Sequence, residues 1–114
     1  MRDDRLRFLD MATSIRMIEK YTSSGKQVFE RDELIQTWVV HHLQILGEAA
    51  RGVSEESRQT ILKSRGGRSS VLCNILVHHY FAVNTAEIWA VVQVNLPPLK
   101  RELEKILAQY PAGE

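Results

Sequence analysis

The sequence predicts an all-α fold, most simply an up-and-down bundle of four or five helices with the last helix kinked at Pro97-Pro98. Two observations carry this. Apolar residues recur three and four positions apart along most of the chain, which places them on one face of a helix. No strand-like alternation of apolar and polar residues persists, and no turn pair suggests a hairpin. A chain of 114 residues is long enough for one domain, residues 1–114, and not comfortably for two.

The elements follow in order. Phe8, Met11, Ile15 and Ile18 form one stripe, predicting a helix from about Asp4 to Tyr21. Thr22-Ser23-Ser24-Gly25 breaks it. Ile35, Val39, Leu43, Leu46 and Ala50 form a second stripe, predicting a helix from about Glu30 through Ala50 with Gly52 just beyond as its stop. Ser54-Glu55-Glu56-Ser57 opens a third, short helix: Ser54 suits the N-cap, and two acids sit in the first turn where the helix dipole favours them. Lys63 to Ser70 is the loosest segment, with Gly66-Gly67 at its middle; Lys63, Arg65 and Arg68 make it either a solvated or a phosphate-contacting loop. A helix from about Ser69 to Tyr80 follows. The last helical stretch begins near Thr85. Its apolar residues Ile88, Val92, Leu96, Leu99, Leu103 and Ile106 approach a heptad seam. Pro97-Pro98 interrupts that seam, predicting a kink or a restart with Asn95 as cap.

Composition narrows the function classes. At 44% hydrophobic and 25% charged, the chain reads as an ordinary soluble domain. A net charge of +1 gives no bulk attraction to nucleic acid or to an anionic membrane, so RNA binding needs a local patch. One cysteine excludes an internal disulfide and a Cys-rich zinc site. The charged start Met1-Arg2-Asp3-Asp4-Arg5 does not resemble a signal peptide. No apolar run approaches the roughly 18 residues that span a bilayer. The expected location is the cytoplasm.

The chemistry concentrates in Leu72-Cys73-Asn74-Ile75-Leu76-Val77-His78-His79-Tyr80. Asn74 and His78, four apart, share a helix face, and Tyr80 follows two residues later. Ile75, Leu76 and Val77 cover the other faces. This segment resembles the signature of the HEPN ribonucleases, most closely the HepT-like toxins: Arg, four residues, His, one residue, Tyr. His78, the spacing and Tyr80 match, and Cys73 stands where the family has Arg. Leu43-Gln44-Ile45-Leu46-Gly47-Glu48-Ala49-Ala50 resembles the family's second-helix motif. Trp89 with Leu96-Pro97-Pro98-Leu99 resembles its last-helix pattern. Three ordered motifs are far more specific than one.

The resemblance implies the toxin of a type VII-like HEPN/MNT toxin–antitoxin system, a metal-independent endoribonuclease acting as a homodimer. His78 from each chain would supply acid and base, a role that suits an imidazole with a reference pKa of about 6.5. Asn74 would orient the imidazole or bind the phosphate. The partner would be an MNT-class nucleotidyltransferase antitoxin, which transfers AMP from ATP to Tyr80, and the two would form a larger complex. The toxin itself would need no cofactor; ATP and magnesium belong to the antitoxin.

Cys73 cannot take over the Arg role, because a thiol carries no positive charge and a thiolate opposes the phosphate. Losing such a cation costs typically ~3 kcal/mol, or ~100-fold in rate. Cys73 is either natural degeneration or an engineered change that disarms a toxin. Arg65 and Arg68 are the upstream RNA contacts the sequence offers, at a spacing to His78 unlike the motif's. The alternative class is a non-catalytic helical module that dimerises and binds the nucleotidyltransferase. A nucleotide-binding helical domain ranks third, since there is no Gly-rich cradle followed by Lys.

Blander roles account for the remaining polar and aromatic residues. His79 points about 100° from His78 and faces solvent. His41-His42 lack a ligand partner four residues away on their own faces, which argues against metal. Glu48 is expected to be structural, and Trp38 and Trp89 to be core or interface anchors.

Overall fold

The computed structural model describes residues 3–57, 59 and 85–109; the Ser69–Tyr80 helix predicted from the sequence lies outside the described residues, as does the Lys63–Ser70 loop. Among the described residues the chain is helical, with no strand. Helix α1 spans Asp4–Thr22, α2 Lys26–Arg31, α3 Glu33–Gly52, α4 Thr85–Ala90 and α5 Leu96–Ala108. A wide π-helical turn, Val91–Asn95, joins α4 to α5. The all-α fold stands.

Helix α1 begins where Asp3 Oδ1 accepts a bond from the Leu6 N–H at 2.9 Å, satisfying one of the first-turn donors that no helix can pair internally. It ends in the predicted Ser-Gly break, where Gly25 takes φ +103°, a conformation that a side chain disfavours. Phe8, Met11, Ile15 and Ile18 are all buried, as their spacing predicts. Buried Ser14 and Thr22 each donate to a carbonyl four residues back, so neither hydroxyl is left unsatisfied.

The single helix predicted from Glu30 is two helices. Asp32 adopts extended dihedrals, and its Oδ1 accepts from Leu34 N at 2.9 Å and Ile35 N at 3.2 Å. That carboxylate starts α3 and ends α2. Gln36 reinforces the corner: its Nε2 donates to the carbonyls of Phe29 and Glu30, which sit at the unpaired end of α2. The corner turns α2 so that Phe29 enters the core and meets Trp89 at 5.3 Å between ring centroids. Gly52 is the last residue of α3 rather than the residue beyond it, and Val53 leaves in an extended conformation.

Helices α1 and α3 share the largest interface, and α5 packs across α1. Val39, Leu43, Leu46, Ala49 and Ala50 from α3 and Leu96, Leu99 and Leu103 from α5 close one continuous core with the α1 stripe. Lys100 and Glu19 pair across the α1–α5 seam at 2.9 Å; both are part exposed, so the pair orients more than it stabilises.

The double proline acts one step earlier than expected. Pro97 and Pro98 have no N–H to return to residues 93 and 94, and their rings would strike those carbonyls in a regular helix. The chain widens instead: the Leu96 N–H donates to the Val91 carbonyl, five residues back. The prolines then occupy the first turn of α5, where no donor is missed. Asn95 does not cap. Its backbone is helical and its side chain makes no cap bond, because the helical path continues through it.

Asp32→Ala is expected to lower stability by ~1 kcal/mol in urea denaturation, while Asp32→Asn stays within a few tenths, since Asn caps as well as Asp. Equal stability of the Ala variant would mean that something other than the cap separates α2 from α3.

Candidate functional site

The candidate catalytic and modification residues Cys73, Asn74, His78 and Tyr80, and the candidate RNA contacts Arg65 and Arg68, lie outside the described residues. The described residues include the two other stretches that resemble family motifs. Residues 43–50 form the second half of α3. Leu43, Leu46, Gly47, Ala49 and Ala50 are buried there, and Glu48 stands on the exposed face. In the last-helix motif, Leu96 and Leu99 are buried and Trp89 is half-buried against Phe29. Both motifs therefore have a packing role in this chain.

The end of α3 is clasped to the start of α1. Asp4 accepts three bonds: from Ser54 N at 2.9 Å, Ser54 Oγ at 2.8 Å and Ser57 Oγ at 2.7 Å. Ser54 Oγ in turn accepts from Ser57 N at 3.2 Å, the N-cap geometry predicted for the third helix. Burial pushes the Asp4 carboxyl up, but the bonds from Ser57 and Ser54 outweigh it and hold the group below its ordinary value. The clasp could not be foreseen, because its partners are about fifty residues apart. Its cue was the Ser-x-x-Ser spacing.

A second polar corner lies at the other end of the α1–α3 interface. Trp38 Nε1 donates to the Met17 carbonyl at 2.7 Å, anchoring α3 to α1 as expected of a buried tryptophan edge. Tyr21 meets Trp38 edge-on at 5.1 Å, and His42 lies 4.5 Å from Trp38 between ring centroids. The His41 and His42 rings are 5.1 Å apart despite diverging from the helix axis. Among the described residues no group of three or more His, Cys, Asp or Glu side chains could hold a metal ion. Burial, and then the charge of His41, lowers the His42 pKa. No helix among the described residues is long and apolar enough to cross a membrane.

The family described as ribonuclease HepT-like matches residues 11–106, which takes in both framing motifs and the whole signature. This chain belongs to the HepT-like ribonuclease family. A probable ribonuclease HepT of Thermococcus cleftensis is 28% identical, over 85% of this chain and 89% of that one. A Caldanaerobacter subterraneus protein named provisionally as an RNase is 28% identical, over 80% of this chain and 81% of its own. A Methanocaldococcus jannaschii protein named for gamma-glutamylcyclotransferase and, provisionally, for an RNase is 30% identical over 84% of this chain. The match spans only 44% of that protein's length. No solved structure matches. In this HepT-like chain the family motifs of α3 and α5 are thus the ones that build the core.

The two shifted groups set the acid limb of stability. A histidine whose folded pKa is lowered binds fewer protons folded than unfolded, so stability falls as pH drops below the ordinary 6.5 toward the folded value. Urea midpoints are expected to decline over that window, and His42→Gln to flatten the decline. Asp4 acts in the same direction at lower pH: its contribution is present above 3.8 and disappears as pH falls below it. Asp4→Asn should therefore weaken the fold at neutral pH and reduce the loss seen below pH 3.8. A flat profile in the unmodified protein between pH 7 and 5.5 would remove the His42 account.

Proposed function

We propose that this chain is the toxin of a HEPN/MNT toxin–antitoxin pair, a homodimeric endoribonuclease that needs no metal, located in the cytoplasm. The observation that carries the reading is the Asn74–His78–Tyr80 spacing, lying within the 11–106 span of the ribonuclease family match. Membership supports ribonuclease chemistry; the roles of individual residues follow from what that chemistry requires.

RNA cleavage without metal needs two proton transfers. One His78 takes the proton of the ribose 2′-hydroxyl as its oxygen attacks the adjacent phosphorus. The bond from phosphorus to the 5′-oxygen breaks, and the second protomer's His78, protonated, gives that oxygen its proton. Asn74, one turn before His78, holds the imidazole or a phosphoryl oxygen. Charge grows on the non-bridging oxygens, where the family places its arginine and this chain has Cys73. That exchange favours a second reading: a module that binds its nucleotidyltransferase without cutting RNA.

Neutralisation would work through Tyr80. Its phenol oxygen attacks the α-phosphorus of ATP in the partner's active site, pyrophosphate leaves, and AMP remains on the ring. The added phosphate repels an RNA phosphate beside His78, the same electrostatics by which phosphorylation closes a site.

Cys73→Arg, produced without antitoxin, is expected to cleave RNA at least ~100-fold faster than the unmodified chain, with the activity lost when His78→Ala is added. Co-expression with the neighbouring nucleotidyltransferase should add AMP-sized mass that Tyr80→Phe abolishes. A Cys73→Arg protein that neither cuts RNA nor slows growth would sink the catalytic reading; AMP addition alone would then leave the binding module.

A further inference from the structure

The guanidinium of Arg7 carries a buried donor with no hydrogen-bond partner. Arg7 lies on α1 one turn after Asp4 and is half-buried. Its Nε is fully buried with no hydrogen-bond partner, and no other contact among the described residues holds the side chain by a hydrogen bond or ion pair. Asp4, one turn before it, is already engaged by Ser54 and Ser57. Burial of a cation without an anion is costly, so a guanidinium in this state is usually paired.

The fold nevertheless makes room for it. The guanidinium lies directly against Gly52, the last residue of α3. A Cβ built there would stand 2.5 Å from Arg7 Cζ and 2.7 Å from Nε and Nη1. The end of a helix carries partial negative charge, so α3 holds the cation in place without neutralising it. The part of the planar fork that remains exposed then presents donors suited to two oxygens of one phosphate. Arg51 adds a second arginine at the same end of α3.

We infer that Arg7, seated on Gly52 at the junction of α1 and α3, binds an RNA phosphate. The inference rests on the ribonuclease reading and adds to it a cation that the signature itself lacks. Net charge is only +1, so RNA affinity in this chain has to come from placed cations rather than from an overall field.

The test is the salt dependence of binding to a 2′-O-methyl oligoribonucleotide, which has no free 2′-hydroxyl and cannot be cleaved. Each phosphate contact to a single strand contributes about 0.7 to the slope of log K against log salt. Arg7→Gln is expected to reduce the slope by about that amount and to weaken binding uniformly across sequences, while Arg7→Lys retains the slope. Gly52→Ala removes no charge but displaces the fork, and is expected to weaken binding as well. A merely structural Arg7 would lower the melting temperature and leave the slope alone, and that result overturns the inference while the ribonuclease reading stands. Stabilisation of the full chain by inorganic phosphate, lost in Arg7→Gln, without any binding to the oligomer would keep an anion site at Arg7 and remove RNA as its ligand. Absence of both effects overturns the inference outright.

Discussion

The α1–α3 interface is the constraint on which the rest of the structure depends. Phe8, Met11, Ile15 and Ile18 on one side and Val39, Leu43, Leu46 and Ala50 on the other are almost fully removed from water. Burying a side chain of this size contributes about 1.5–3 kcal/mol, so this pair of stripes dominates the energy of the described fold. Specificity comes from the two ends. At one end the Trp38 indole reaches the Met17 carbonyl, and at the other Asp4 gathers Ser54 and Ser57. Hydrophobic stripes alone tolerate sliding by a turn. Directional bonds at both ends do not, because a shift of one turn would leave the indole N–H and the carboxylate unpaired.

The last helix is fitted to that pair under a constraint of its own. Leu96, Leu99 and Leu103 must face α1, yet two prolines stand among them. A regular helix through residues 91–98 would force a clash or a bend away from the core. Widening one turn at Val91–Asn95 absorbs the missing donors and keeps Val91 and Val92 buried with the leucines. The seam survives because its distortion is confined to a turn whose outward residues, Gln93 and Val94, face solvent.

Periodicity made α1, the body of α3 and the leucine face of α5 legible, because each buries one stripe and nothing else competes with that pattern. The break at Asp32 was hidden for the opposite reason. Ile35 and Val39 continue a pattern that Glu30 can begin, and only the extended backbone of Asp32, with its carboxylate capping α3, separates α2 from α3. Asn95 misled in the same way: it is a good cap residue, but a residue caps only where the backbone leaves the helix, and here it does not. The Asp4 clasp and the seat of Arg7 join residues far apart in sequence, and no local rule reaches that far. For the candidate site itself, the sequence offers Asn74 and His78 on one face of the helix it predicts, since a helix turns spacing of four into a shared face, with Tyr80 two residues on; all three lie outside the described residues.

The electrostatics of the chain bear on how such a site would work. A phosphodiester transition state needs positive charge at its oxygens as well as proton transfer, and the two requirements can be separated in space. Proton transfer demands contact, so the role proposed for His78 could not be filled from a distance. Phosphate binding is more forgiving, since a neighbouring phosphate of the same strand can hold the substrate in register. On the proposed reading, a guanidinium fixed on Gly52 would contribute to binding in this way whether or not the arginine of the signature is present. It would not replace an arginine at position 73, whose charge would act on the oxygens of the scissile phosphate. A chain of this kind would keep its RNA affinity while its turnover falls. Its cleavage and binding would then respond to different residues: Cys73 and His78 for the first, Arg7 and Gly52 for the second.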